Sequence, residues 1–192
     1  SGADFVWINE TDITSRTAPD DMFIAERDEW GDFYGYLVSV ERDGATVASG
    51  AQAWSVLQDA VAEKIALREQ IETIQKGEIG RINYAMERLR LRERRLELDG
   101  DDDPAKRAKI AAERAELEET YAGFNDTLSQ LYQETGRYSV TARTQSGVTV
   151  VLPAAQLVRA YQPNKMGLPE KVGHYGSKIW EFVSDEPREA NT

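Results

Sequence analysis

The sequence predicts an α+β protein: a small antiparallel β-sheet or SH3-like barrel, an inserted long antiparallel α-helical coiled-coil hairpin, and a C-terminal amphipathic helix. Three observations carry this. Residues 54–135 are highly charged, hold no proline before Pro104, and bear a narrow apolar stripe at helical spacing. Short alternating segments bounded by turn residues stand on both sides of that stretch. Beyond Pro163 the chain places Val172, Tyr175, Ile179, Trp180, Phe182 and Val183 at helical intervals.

In the helical stretch the apolar positions fall at Ile79, Ile82, Met86, Leu89 and Leu96, with Glu93 as the one gap. After Pro104 they follow a seven-residue repeat: Ile110, Leu117, Phe124 and Leu131 in one seam, Arg114, Tyr121 and Leu128 in the other. A stripe this narrow on a charged helix marks a coiled coil, where only two positions in seven are hidden from water. Gly100 suits the left-handed end of the first helix; Asp103 caps the second, with Pro104 in its first turn. Folding the chain at that loop sets Leu96 opposite Arg107, Leu89 opposite Arg114, Met86 opposite Leu117, Ile82 opposite Tyr121 and Ile79 opposite Phe124. Gly77 and Gly80 then fall beside Tyr121 and Phe124 and read as small residues accommodating large ones. The second helix projects about 45 Å at 1.5 Å per residue. The early part of the first, residues 54–66, packs on the base.

The base is assembled from short segments. Phe5-Val6-Trp7-Ile8 reads as a buried strand and residues 9–21 as a loop containing Pro19. Residues 22–30 and 33–40 are strand-like and meet at Gly31-Asp32. Alternation puts Tyr34, Tyr36, Val38 and Val40 on one face of the second, Leu37 and Ser39 on the other. Arg42-Asp43-Gly44 is a hairpin turn, and residues 45–49 return from it. After Gly136 ends the helices, residues 138–143 and 148–152 form a hairpin about Gln145-Ser146-Gly147. Residues 153–156 make one turn, and 157–161 are extended or loosely helical. The division expected is a discontinuous β domain (3–53 and 136–163), the helical hairpin (54–135), and a C-terminal helix with a membrane-proximal linker (164–192). That last helix either packs on the sheet or lies in a membrane interface, since Trp, Tyr and Lys beside an apolar face suit the headgroup region.

Composition narrows the function. The 192 residues hold 34 acids against 23 bases, a net charge of −11, which argues against a nucleic-acid partner. Without cysteine there are no disulfides or thiolate metal sites, and the compartment stays open. No apolar run approaches the ~20 residues of a membrane span, and no signal peptide is evident. Ser1-Gly2 and the ending at Asn191-Thr192 suggest a fragment of a longer protein. Asp99, Asp101 and Asp103 imitate the start of a calcium loop, but Pro104 and Ile110 occupy the positions of its glycine and bidentate glutamate, so they read as a solvated turn with a helix cap. His174 is the one histidine; no catalytic residue, metal site or cofactor site is assigned. The carboxylates sit mostly on helix faces as partners of Arg and Lys. Among the bases crowding the outer third of the hairpin, Arg88, Arg92, Arg95, Lys106 and Arg107 are the candidate interaction residues. They form either a solvated coiled-coil face or a docking tip for an acidic partner or an anion.

The C-terminal quarter adds a resemblance. Leu157-Val158-Arg159-Ala160-Tyr161-Gln162-Pro163-Asn164, and then Ile179-Trp180-Glu181-Phe182-Val183-Ser184-Asp185-Glu186-Pro187-Arg188-Glu189-Ala190-Asn191-Thr192, resemble the long form of the PstA-type permease subunit of the bacterial phosphate ABC transporter. The resemblance implies a soluble extracytoplasmic insertion between the first two transmembrane helices of a cell inner membrane protein. Its implied partners are a second permease subunit, ATPase subunits and a periplasmic phosphate-binding protein, with the membrane reached through flanking transmembrane helices. The expected function is a non-catalytic periplasmic domain, a docking or regulatory module for phosphate transport. The competing expectation is a free-standing coiled-coil adaptor of the cytosol.

Overall fold

The computed structural model describes residues 9–15, 17 and 19–184. The expected strand at Phe5–Ile8 and the segment 185–192 lie outside them. The described chain is mixed α+β, with six antiparallel strands in one sheet. Strand β1 (Met22–Arg27) points Phe23 and Ala25 inward, both fully buried. It turns into β2 (Phe33–Arg42) through Trp30 and Gly31, which adopt φ of 70° and 72°. Arg27 steadies that turn, donating to the carbonyls of Gly31 (2.7 Å) and Trp30 (2.8 Å). Asp43 and Gly44 then take φ of 53° and 79°, the paired positive angles of a tight hairpin turn, leading into β3 (Ala45–Ser49).

Strand β2 organises the sheet. Its first half pairs with β1, its second half with β3, and β4 (Tyr138–Arg143) lies along its other side. The register Val40↔Val140 joins chain from before and after the helices. Next to β4 comes β5 (Thr149–Pro153); one 3-10 turn, Ala154–Gln156, then carries the chain to β6 (Leu157–Tyr161), which pairs with β1. The segment left open between extended and loosely helical is thus a strand. The pairing of β2 with β4 shifts register between Leu37 and Ser39. This bulge corrects the expected face: Tyr34 and Val38 are exposed, but Val40 is fully buried, because one extra residue inverts strict alternation.

Helix α1 (Ala53–Glu72) covers the sheet. Its Ala53, Leu57 and Val61 join Phe23, Phe33, Val40, Val140, Ala142, Leu152 and Leu157 in one core. Trp54 meets Phe23 edge-on, with 6.2 Å between ring centroids. Burying a side chain such as Leu57 completely contributes about 1.5–3 kcal/mol.

The helix continues beyond the sheet through a π-helical stretch, Thr73–Ile79, into α2 (Gly80–Leu98). A π turn holds more residues than an α turn and so rotates the buried stripe. The first half buries Leu57, Val61 and Ile71; the second buries Ile82 and Leu89. At the end of α2, Gly100 adopts φ of 65°, its N–H donates to Glu97 O, and that of Asp101 donates to Leu96 O. This is the double bond of a glycine-terminated helix. Helix α3 (Pro104–Thr135) begins as expected, with Asp103 accepting from Ala105 N at 2.8 Å, and runs antiparallel to α2. Helix α4 (Leu168–Ser184) follows β6, its entry held by Asn164 Nδ2 on Pro19 O (2.7 Å) and by Glu170 accepting from Gly167 N (2.9 Å).

Two expectations about the paired helices are corrected. Tyr121 does not face Ile82 in the interior but is 38% exposed. Nor do Gly77 and Gly80 accommodate large neighbours, since a Cβ at either would meet nothing within 4 Å. Both glycines therefore cost helix stability without relieving a clash. Gly77→Ala and Gly80→Ala should each stabilise the fold by about 0.5–1 kcal/mol. Gly35→Ala should destabilise it, because a Cβ there would stand 2.5 Å from Arg143 O and 2.8 Å from the Phe33 ring. Denaturation midpoints of the three variants check this, and the opposite ordering would contradict it.

Candidate interaction surface on the paired helices

The helical projection is anchored where it leaves the sheet and where it returns. On the outgoing side, Lys64 is only 7% exposed, and its ammonium donates to Leu157 O (3.0 Å) and to Asp28 (3.3 Å). Arg68 reaches the same carboxylate at 3.1 Å, and Gln58 donates to Ala160 O at 2.8 Å. Burial pushes the Asp28 carboxyl up, yet the bonds from Arg68 and Lys64 together outweigh it and hold the group below its ordinary range. On the returning side, Arg137 binds Asp43 in the β2–β3 turn (2.7 Å) and Glu134 at the end of α3 (2.8 Å). The Arg137 bond holds Asp43 low and, with Glu134, raises the guanidinium. Asp28, Lys64, Arg68, Gln75, Lys76 and Tyr132 also line a 740 Å³ cleft between the roots, whose walls mix both signs of charge.

Farther out, polar bonds and buried leucines set the register of α2 on α3. Gln75 donates to the Tyr132 hydroxyl (3.0 Å), Arg92 to Glu113 (2.8 Å) and Arg114 to Glu93. Glu93 and Arg114 are the two polar gaps in the apolar seams, and the fold joins them to each other. The expected register had Leu89 opposite Arg114; Glu93, one turn further along, takes that place. Leu89 and Leu117 line a common cleft, and Ile82, Leu89, Ile110 and Leu128 are buried.

The five basic residues singled out in the sequence do not form one unpaired patch. Arg92 is used between the helices. Lys106 binds Asp101, and Arg107 binds Asp102, both in the connecting loop. The Asp101 carboxyl is held low by Lys106 and by Asp103 N–H, and Lys106 is correspondingly raised. Arg95 is 3.8 Å from Asp99 with its side chain 85% exposed. Arg88 lies over the Tyr84 ring, 6.0 Å from its centroid. Of the remaining two, Arg95 lies on the outward face of α2 and Arg88 at its edge, where it also lines the cleft against Glu113, Glu116 and Leu117. The loop acids serve as a cap and as partners of Lys106 and Arg107.

That outward face also carries an exposed apolar row. Tyr84, Leu91 and Leu98 are 68%, 58% and 74% exposed and recur every seven residues. Arg88 and Arg95 stand beside them, one turn further along the helix. The signal lies in the sequence as a second seven-residue repeat, offset from the stripe that α3 covers. Its position on the far side of α2 is a matter of tertiary structure.

The anchor at Asp28 has a measurable pH signature. Asp28→Asn would keep an amide oxygen as acceptor but leave the buried Lys64 ammonium without the carboxylate charge that compensates it, at a cost of about 1–3 kcal/mol. Because the folded-state carboxyl sits below its unfolded value, this contribution is complete above the unfolded carboxylate range, about pH 4, and is lost as pH falls through the lowered folded value. Urea denaturation of both proteins at neutral pH and at acid pH should show the difference shrinking with acidity. A difference independent of pH would mean that the carboxylate charge is not what holds the anchor.

Comparison of the chain with protein families, with curated proteins and with solved structures gives no match.

Proposed function

We propose that this chain is a non-catalytic docking module, the extracytoplasmic domain of a long-form phosphate transporter permease, placed on the periplasmic side of a bacterial inner membrane. The observation that carries the docking reading is the doubly anchored projection: α1 is tied to β6 through Lys64, and α3 is tied to the β2–β3 turn through Arg137. An arm fixed at both roots presents a distal surface in a defined direction. The family reading rests on the C-terminal resemblance given above. No helix among the described residues is long and apolar enough to cross a membrane; the membrane-spanning parts of such a permease would be supplied by the chain on either side of this insertion.

Within this reading the base is an SH3-like barrel. Its support is the topology: β1 pairs with both β2 and β6, β2 is shared between two sets of partners, and a single 3-10 turn joins edge strands β5 and β6. The helices form a coiled-coil hairpin in the connection after β3, supported by the seven-residue spacing of Ile82 and Leu89 and by the Glu93–Arg114 pair across the seam. Arg88 and Arg95, with the Tyr84, Leu91 and Leu98 row, make the docking face. Its partner is an acidic surface of the phosphate-binding protein or of another subunit of the transporter. Charge complementarity of this kind governs association rate more than final affinity, which suits repeated transient encounters.

Arg88→Glu with Arg95→Glu should slow phosphate uptake at low binding-protein concentration, most strongly at low ionic strength, while leaving the melting temperature nearly unchanged. Arg92→Glu is a poor probe of docking because it also breaks the bond to Glu113. Uptake unaltered across ionic strengths would overturn the docking assignment. The family assignment fails separately, if the parent reading frame encodes no apolar spans flanking residues 3–192.

A further inference from the structure

Helix α4 exposes an apolar stripe that nothing in its own sequence is built to keep in water. Leu168, Val172, Tyr175, Ile179, Trp180 and Val183 are 64–80% exposed. At about 100° per residue, Leu168, Val172, Tyr175, Ile179 and Val183 fall within an arc of about 80°, and Trp180 borders it. Lys171 stands at the other border, while Glu170 falls on the opposite side and is engaged by Gly167 N–H. The order across the helix is therefore aromatic, aliphatic, lysine, with the carboxylate farthest from the apolar centre. Among charged residues between Gln162 and Trp180, three lysines (Lys165, Lys171 and Lys178) stand against the single acid Glu170, in a chain of net charge −11; acids resume at Glu181. The helix also contains Gly173 and Gly176, and a Cβ at either would meet nothing within 4 Å. Glycines there weaken the helix, whose stability then depends on burying its apolar face.

We propose that α4 lies in the plane of a lipid bilayer interface, with the Leu168–Val183 stripe among the acyl chains and Lys171 toward anionic headgroups. A second copy of the chain is the weaker fit. A 17-residue helix is about 25 Å long, and a stripe about 10 Å wide offers about 500 Å² in a face-to-face pair, against the ~1,200–2,000 Å² of stable interfaces. A bilayer needs only the apolar face and attraction to its headgroups, with aromatic residues at the boundary and a lysine stem reaching past it. The inference rests on α4 alone and holds whether or not the chain belongs to a permease.

The test is flotation of the 192-residue chain with vesicles of phosphatidylethanolamine and phosphatidylglycerol, and with vesicles of phosphatidylcholine alone. The chain should float with the anionic vesicles and more weakly with the neutral ones. Ile179→Asp with Val183→Asp should reduce binding about tenfold or more, since two charges would enter the apolar boundary, without moving the melting temperature. Lys171→Glu should weaken binding to the anionic vesicles alone, whereas Leu91→Asp, on the other exposed row, should bind as the native chain does. Brominated lipid should quench the native chain more than Trp180→Phe. Absence of flotation by the native chain, or equal flotation by the Ile179→Asp and Val183→Asp variant, overturns the proposal. So does a dimer in sedimentation velocity that the same substitutions dissolve, which would give the face to a second copy. None of these outcomes depends on the spans flanking the parent chain, so the permease reading stands or falls independently.

Discussion

The structure depends on a single strand serving three neighbours. β2 must accept β1 on its first half, β3 on its second half, and β4 along its other side. The chain leaves β3 for the helices and returns from them into β4, so β2, lying between the two, holds the roots of the projection about 10 Å apart, two inter-strand spacings. At Val40 this is explicit, since that residue pairs with Ala48 on one side and Val140 on the other. Val40 and Val140 are both fully buried, and the bulge after Leu37 is what turns Val40 inward. A strict alternation through that point would have placed a valine outside at the center of the sheet. The bulge therefore belongs to the design of the insertion site.

Strand pairing brings the roots together but does not set the angle at which the helices leave. That is the work of polar contacts at the boundary of the core. Removing the ammonium of Lys64 from water is costly, on the order of several kcal/mol for an unpaired ion, and the Asp28 carboxylate and Leu157 carbonyl offset it. The geometry of those two acceptors admits the lysine in one position of α1 relative to β6. An apolar side chain at that position would pack as well in several. Arg137 acts differently, at the surface, where each exposed bond contributes little by itself. Its value is positional, because it ties the β2–β3 turn to the end of α3.

How far these features could be read from the sequence follows from how local they are. The caps at Gly100, Asp103 and Gly136 were legible because a helix end is decided by residues within a turn of it. So were the Asp43-Gly44 turn and the general strand pattern. The bulge was not, since it depends on the pairing of β2 with β4, about a hundred residues away. Folding the chain symmetrically at its loop does not give the register of the helices, whose offset follows the pairing of Glu93 with Arg114. Reading Gly77 and Gly80 as packing residues assumed that small faces large, which the open space beside them refutes. Spacing along the chain does not tell a solvated basic face from a docking tip, because the pairing of Lys106 with Asp101 and of Arg107 with Asp102 depends on how the loop folds back on α3. Lys64 gave no sign of burial, since periodicity marks which face is inward but not that a cation on it has two acceptors waiting.

The projection is not uniformly bound along its length. Near the roots the helices are fixed by the core and by Lys64 and Arg137. In the outer half they are fixed by Ile82, Leu89 and Ile110 together with the Arg92–Glu113 and Glu93–Arg114 pairs. Between them lies the π-helical stretch Thr73–Ile79, none of whose own residues is buried; the buried Leu128 of α3 shares a cleft with Gln75 there. The bond from Gln75 to Tyr132 crosses there, between exposed side chains. Packing across this section therefore comes from α3, through Leu128 and the Tyr132 hydroxyl. The exposed row of Tyr84, Leu91 and Leu98 lies wholly beyond it, within the well-packed outer segment. The distal surface keeps its own geometry through Ile82, Leu89, Ile110 and the cross-helix ion pairs, while the two anchored roots fix its direction.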